Sequence, residues 1–342
     1  MKVSVIMTVL DEEESLRAVL DSLAAQTRPP DEVVIADGGS RDNTVAVIRE
    51  YEGRLPLKII EAPGTNISQG RNAAIRAASG EIIASTDAGV RCEPEWLEKL
   101  IDPLTPNPSP PPSAGERGVH AVAGFFRSDP QTVFEMALGA ATLPEARDVN
   151  PKTYLPSSRS VAYRKSAWEA VGGYPEWLDY SEDVVFDLRL REKFGPFVFV
   201  PDAIVRFRPR QSLRAFARQY YRYARGDGRA NLFPRLHAVR YFAYLVAAPL
   251  LIYAAVAVSP WLWWLGLAAA LAYSRLPLRR LWPQLRGLSW SDKLWALAYI
   301  PVIRVVGDAA KMAGYPAGVG WRVRWAMQKS PPRTFPPTQD AG

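Results

Sequence analysis

The sequence predicts an α/β fold, a mostly parallel sheet with helices on both faces, followed by C-terminal membrane-associated helices. Three observations predict it. Short Val- and Ile-rich runs alternate with helical stretches over the first hundred residues. The two parts of the chain carry opposite charge. An uncharged stretch of 34 residues, Tyr241–Ser274, lies near the C-terminal end.

The apolar runs are Val3–Met7, Val33–Ala36, Leu57–Ile60 and Ile82–Ala84. Each is too short for a buried helix, and none alternates with polar residues, so each reads as a strand buried on both faces. Helical patterns over Glu13–Ala25, Asp42–Tyr51, Ser68–Ala78 and Glu95–Leu104 separate them. Such alternation argues for a parallel sheet, in which ligands bind outside the carboxyl ends of the strands. Thr105–Gly118 breaks the pattern with five prolines and reads as a disordered surface insertion. Beyond it the spacing predicts strands at Ala121–Phe126, Ser158–Tyr163, Val198–Val200 and Ile204–Phe207. Helices are expected at Thr132–Leu138, Ser166–Val171, Glu182–Lys193 and Ser212–Ala230.

Residues 1–200 hold 21 Lys and Arg against 30 Asp and Glu, whereas residues 201–342 hold 21 against 5. A basic half suits phosphate, nucleic acid or an anionic membrane surface. The apolar stretch favours the membrane and argues against nucleic acid. Ser259-Pro260 divides it into Tyr241–Val258 and Trp261–Ser274. As helices these are about 27 and about 21 Å long, which suits a hairpin dipping into or across a bilayer. Arg240 and Arg275 flank it, so both ends are expected on the cytoplasmic side. Leu294–Val306 contains Arg304 and suits an interfacial helix. The tail from Lys329 is Pro-rich and reads as disordered. The expected organisation is a catalytic domain over residues 1–230, membrane and interfacial helices over 231–328 with the hairpin at 241–274, and a tail over 329–342. The lone cysteine, Cys92, precludes an intrachain disulfide, and the N-terminus carries no secretory pattern. The expected location is therefore the inner membrane, with the first domain in the cytosol.

Four clusters fall at successive strand ends or helix starts: Thr8 to Glu12, Asp37 to Ser40, Gly70-Arg71-Asn72 and Thr86-Asp87-Ala88-Gly89. In a parallel sheet all would face one crevice. Carboxylates there can hold ribose hydroxyls, a uracil N–H or a divalent metal on a diphosphate, and an arginine can neutralise phosphate. Asp37 before two glycines also suits a plain tight turn, and Asp87 also suits a helix cap. A nicotinamide-dependent dehydrogenase would need a glycine-rich loop after the first strand. The acidic Asp11-Glu12-Glu13 found there is hostile to a pyrophosphate.

These motifs resemble those of family-2 glycosyltransferases. The opening Val3-Ser4-Val5-Ile6 with Asp11-Glu12, and the run from Glu32 through Asp37-Gly38-Gly39-Ser40 to Thr44, are similar to the family's start. Gly70-Arg71-Asn72 resembles its Ala-Arg-Asn element. Ser79-Gly80-Glu81 followed by Asp87-Ala88-Gly89 resembles the lead into its Asp-x-Asp motif, and Glu182-Asp183 resembles its Glu-Asp pair. The resemblance covers about residues 3–225 and implies the GT-A fold and inverting transfer from a nucleotide-diphosphate sugar, UDP-linked by default. It implies that Thr8 and Asp37 contact the base, that Glu12 lies near the ribose and that Arg71 lies on the nucleotide side. It further implies that Asp87 approaches the metal or donor sugar, and that Glu182 and Asp183 form the catalytic pair with Asp183 as general base.

The chain departs from the family at Leu10, Gly38 and Gly89, where the family often has Tyr, Asp and the second metal-binding Asp. A single carboxylate plus a diphosphate can still hold Mg²⁺ or Mn²⁺, so a divalent metal is expected at Asp87. Gln219-Tyr220-Tyr221-Arg222-Tyr223 resembles the Gln-x-x-Arg-Trp element, which implies that Gln219, Arg222 and Tyr223 lie near the acceptor, a glycan or lipid-linked molecule. Arg210, Arg214, Arg218, Arg222, Arg225 and Arg229 recur every three or four residues, on one helix face. That face suits anionic lipid. The alternative to an enzyme is a catalytically silent membrane-bound relative that binds nucleotide sugar.

Overall fold

The computed structural model describes residues 1–105 and 118–328. The expected disordered tail and all but the end residues of the proline-rich insertion lie outside this range. The chain divides into two compact units, residues 1–129 with 145–208, and residues 130–144 with 209–342.

In the first unit the strands are β1 (Val3–Val9), β2 (Glu32–Asp37), β3 (Leu57–Glu61), β4 (Ile82–Ser85), β5 (Val90–Cys92), β6 (Ala121–Ser128), β7 (Val161–Arg164) and β8 (Val198–Phe207). They form one sheet in the order β3-β2-β1-β4-β7-β6-β8-β5. β1 is parallel to both β2 and β4, and β2 is parallel to β3. The pairs of β4 with β7, β7 with β6 and β8 with β5 are antiparallel, and β6 is parallel to β8. The chain moves outward from β1 to β3 and then returns to place β4 on the other side of β1. This is a topological switch point, and it opens a crevice at the carboxyl ends of β1 and β4.

The uninterrupted apolar strands are explained by burial on both faces. Val3, Val5, Met7 and Val9 of β1 and Val33 and Ile35 of β2 join one core with Leu16, Val19, Leu20 and Leu23 of α1 (Glu13–Ala24). Ile6, Val34 and Ala36 point to the opposite face, into a second core with Ala74 and Ile75. The remaining helices of the parallel half are α2 (Thr44–Arg49) and α3 (Ile67–Ala77). Asn66 caps α3 by accepting from the Gln69 amide at 2.9 Å, and the Gln69 side chain accepts from the Asn66 amide in return. α4 (Trp96–Ile101) follows β5, a strand the sequence pattern did not reveal because it is only three residues long. The strand expected at Ser158–Tyr163 starts three residues later, and the two segments expected within 198–207 form one strand.

The second unit begins with α5 (Val133–Thr142), which the sequence pattern put in the catalytic domain. α6 (Lys165–Ala170) and α7 (Glu182–Phe194) belong to the first unit. α8 (Leu213–Ala230) returns to the second, so the boundary falls after Arg208 rather than after residue 230. The reason is close packing of α8 on α12 (Trp290–Gln328). A Cβ on Gly314 would lie 2.2 Å from the Tyr221 carbonyl, one on Gly318 2.1 Å from the Arg225 carbonyl, and one on Gly228 2.2 Å from the Tyr315 carbonyl. Only glycine lets the two backbones approach so closely. The interfacial helix expected at Leu294–Val306 is part of this 39-residue helix. Ile300 and Ile303 pack there with Leu138, Phe216 and Leu281.

Between α8 and α12 run α9 (Pro234–Phe242), a π-turn over Ala243–Ala247, α10 (Ala248–Ala257) and α11 (Leu262–Leu281). The chain breaks near Ser259-Pro260, as the sequence predicts, but the second arm runs beyond Ser274 to Leu281. Among the described residues one helical run, Pro234–Ala257, is long and apolar enough to cross a membrane, and little of it is buried. Asp308 of α12 ties both arms down. It accepts hydrogen bonds from Arg240 Nε at 2.7 Å, Tyr244 Oη at 3.1 Å and Tyr273 Oη.

Candidate active site

The crevice is built from the ends of β1, β2 and β4 and the start of α7. At the end of β2, Asp37 is buried and its carboxylate is engaged locally. It accepts from the Gly39 and Ser40 amides at 3.2 Å and from Ser40 Oγ at 2.5 Å. Gly39 has φ +97°, a conformation that favours glycine. The tight-turn reading of Asp37 therefore holds, and the turn is tied to β1 by the Gly38 amide donating to the Val9 carbonyl at 2.9 Å. Thr8 is half-buried under α3. A Cβ on Gly70 would come within 2.9 Å of its Cγ2, which accounts for the glycine there. Glu12 precedes α1. Its amide donates to Thr44 Oγ1 at 2.8 Å and its carboxylate accepts from Ser15 Oγ.

Arg71 links the parts. It is 3% exposed, its Nη1 lies 2.5 Å from Glu182 Oε1, and its Nη2 lies 3.1 Å from Asp87 Oδ1. Burial works against its charge, but the two carboxylates outweigh burial and hold its pKa above the ordinary guanidinium value. The sequence reading assigned Arg71 to the nucleotide. The structure instead gives it two carboxylate partners, because α3 carries it inward beneath the crevice. Burial, with Asp183 alongside, pushes Glu182 up to about 7 against the pull of Arg71. Asp183 is half-buried on the first turn of α7, after Ser181 in a left-handed conformation, and its Oδ1 accepts from the Val184 amide at 2.9 Å. A first-turn carboxylate also complements the helix dipole.

Asp87 is 32% exposed and caps no helix, since β5 follows it. Its Oδ1 faces Arg71 and its Oδ2 lies 3.5 Å from Arg159 Nε. The donor set does not fit a metal held by the protein. There is one carboxylate, both its oxygens face guanidinium groups, and position 89 is glycine. Among the described residues no group of three or more His, Cys, Asp or Glu side chains is arranged to hold a metal ion.

Sequence reasoning named Asn72 without giving it a role, and it missed Asp187. Asn72 is buried with its amide fully used. It donates to the Tyr174 carbonyl at 2.9 Å and to Glu176 Oε1 at 3.0 Å, and it accepts from the Tyr174 amide and Trp168 Nε1. It locks the segment leading to α7. Asp187 stands one turn beyond Asp183. It is 2% exposed, its Oδ2 has no hydrogen-bond partner among the described residues, and burial pushes its carboxyl well above the usual range. The four-residue spacing from Asp183 is the signal that could have found it.

Gln219, Arg222 and Tyr223 lie on α8, in the second unit, where Gln219 Nε2 donates to Tyr223 Oη at 2.7 Å. Arg210, Arg214, Arg218 and Arg222 are exposed, as a charged face requires. Arg225 and Arg229 are half-buried, and Arg229 stacks on Trp321 at 4.6 Å, so the six-arginine face narrows towards its end.

A sheet with this switch point, and a crevice where an arginine joins the end of β4 to an acidic pair on a later helix, define a GT-A glycosyltransferase. Two family models of this class match the chain, that of glycosyl transferase family 2 over residues 4–109 and that of glycosyl transferase family group 2 over residues 147–306. Validoxylamine A glucosyltransferase of Streptomyces hygroscopicus subsp. limoneus is 35% identical over 102 residues, 29% of this chain and 22% of that protein. Succinoglycan biosynthesis protein ExoA of Rhizobium meliloti is 24% identical over 323 residues, 85% of this chain and 93% of the relative. The chain spans under a third of the length of the first curated relatives it matches. Among solved structures, the mannosyltransferase PcManGT of Pyrobaculum calidifontis, in complex with GDP-Man and Mn²⁺, shares the fold with a TM-score of 0.60. It is 21% identical, over 91% of this chain and 87% of that one.

Proposed function

We propose that the chain moves a sugar from a nucleoside diphosphate to an acceptor hydroxyl by a single inverting displacement, with Asp183 as general base. The observation that carries this reading is the buried Arg71, which joins Asp87 to Glu182 and so brings Asp183 to the switch-point crevice. The acceptor hydroxyl gives its proton to Asp183. Its oxygen bonds to the anomeric carbon, and the bond from that carbon to the diphosphate breaks with both electrons leaving on the diphosphate. One in-line displacement inverts the anomeric centre. Arg71 and Glu182 act as positioning residues. Thr8, Glu12 and the Asp37 turn line the nucleoside side, and UDP is the proposed nucleotide.

The proposed acceptor is a glycan or lipid-linked molecule of the cell envelope, a reading supported by the name of the succinoglycan relative. The proposed location is the inner membrane, with the first unit in the cytosol. The poorly buried Pro234–Ala257 run and the exposed Trp261 and Trp264 support it. Gln219, Arg222 and Tyr223 are proposed to serve the acceptor or membrane side. Replacing Arg214, Arg218 and Arg222 together with Gln should weaken binding to anionic vesicles, at about 1 kcal/mol per residue. Unchanged binding in a flotation assay ends the lipid assignment.

Asp183→Asn tests the chemistry. The variant should melt like the parent and bind donor, yet lose transfer by about a thousandfold, the scale of a general base. Near-parental turnover rejects the role. Gly89 favours a second reading, a silent nucleotide-sugar binder, and donor binding by the parent chain without transfer to any envelope acceptor would select it.

A further inference from the structure

Resting on the donor site above, we propose that Arg159 is a diphosphate-binding residue, and that it takes the place of the cation a second carboxylate at position 89 would hold. In the ladder between β4 and β7, Ser85 pairs with Val161. Continuing that antiparallel register by two residues sets Asp87 opposite Arg159, and the Nε to Oδ2 distance of 3.5 Å agrees. The guanidinium is held in place. It lies 4.5 Å over the Phe207 ring, and its Nη1 donates to Ser157 Oγ at 3.2 Å. The next residue is anchored as well, with Ser160 Oγ donating to the Ala203 carbonyl at 2.9 Å and accepting from Trp96 Nε1 at 2.9 Å.

A donor diphosphate entering beside Asp87 needs positive charge. Arg71 is spent on Glu182 and Asp87 and is 3% exposed. Arg159 is 23% exposed, and its planar fork matches phosphate oxygens better than a point charge does. Space also exists where the missing carboxylate would project, since a Cβ on Gly89 meets none of the described residues within 4 Å. The loss of that carboxylate and the presence of an arginine across the ladder form one electrostatic arrangement. Repulsion by a second carboxylate is absent, and a fixed guanidinium supplies the charge that stabilises the departing diphosphate.

Isothermal titration of the purified full chain with UDP, GDP and the two parent nucleosides, in EDTA and then with Mn²⁺, tests this. The parent chain should bind a nucleoside diphosphate in EDTA, and Mn²⁺ should change the affinity little. Arg159→Gln should weaken nucleoside diphosphate binding about tenfold while leaving nucleoside binding unchanged, and Arg159→Lys should recover part of the loss. Gly89→Asp, which has room to fold, should acquire a response to Mn²⁺ that the parent lacks. Parental binding abolished by EDTA, an Arg159→Gln variant as tight as the parent, or a Gly89→Asp variant no more Mn²⁺-responsive than the parent overturns the inference and leaves the donor site standing. A parent chain that binds neither nucleoside nor nucleoside diphosphate brings down the donor site and this inference with it.

Discussion

The two units handle charge and apolar surface in opposite ways. In the first, apolar side chains are buried on both faces of the sheet, and the buried titratable groups of Arg71, Glu182 and Asp187 gather under the crevice. In the second, Leu245, Leu250, Tyr253, Val256 and Trp264 remain exposed, while Arg240 and Asp308 are sequestered between helices. The first arrangement preorganises a polar site in water. The second is what the proposed membrane placement requires, since in an apolar solvent backbone groups are satisfied within helices and polar side chains turn towards one another.

The comparison breaks most readily at Arg71. Arg71→Ala leaves the buried Glu182 without its cation and removes one partner of Asp87, so it should cost about 3–5 kcal/mol. A melting curve shifted by less than a degree would mean the tie carries no stability. In the second unit, Asp308→Ala strands Arg240 and frees Tyr244 and Tyr273, at a cost of about 2 kcal/mol. Thermal unfolding in detergent should show the loss, and an unchanged melt would sever the hairpin from α12. The smallest effect concerns pH. Asp187 has a folded pKa above its unfolded value, so the folded state holds its proton more tightly. Its stabilising contribution is complete below the ordinary aspartate range and is lost as pH rises towards the folded pKa. Stability should therefore slope downward with pH above that range, and Asp187→Asn should flatten the slope in melts taken across neutral pH. A slope unchanged in the variant would assign it to other groups.

Much of the first unit was legible in the sequence because apolar runs buried on both faces leave an unmistakable pattern. The runs at Val3, Val33, Leu57 and Ile82 all became strands, extended by one or two residues. β5 was not legible, since three residues carry no period. The extent of α12 was obscured by its mixed composition and by Pro301 and Pro316 within the helix. At the site, the motifs identified Asp37, Arg71, Asp87 and Asp183, but not their partners.

By itself the sequence determined which residues cluster at strand ends, where the uncharged stretch runs and which family the motifs match, because these are local or periodic properties of the chain. Tertiary structure alone decided that Arg71 faces carboxylates, that Arg159 stands across from Asp87, and that α8 lies with α12. Those outcomes depend on strand register and on the approach of backbones distant in sequence, and neither is encoded at any single position.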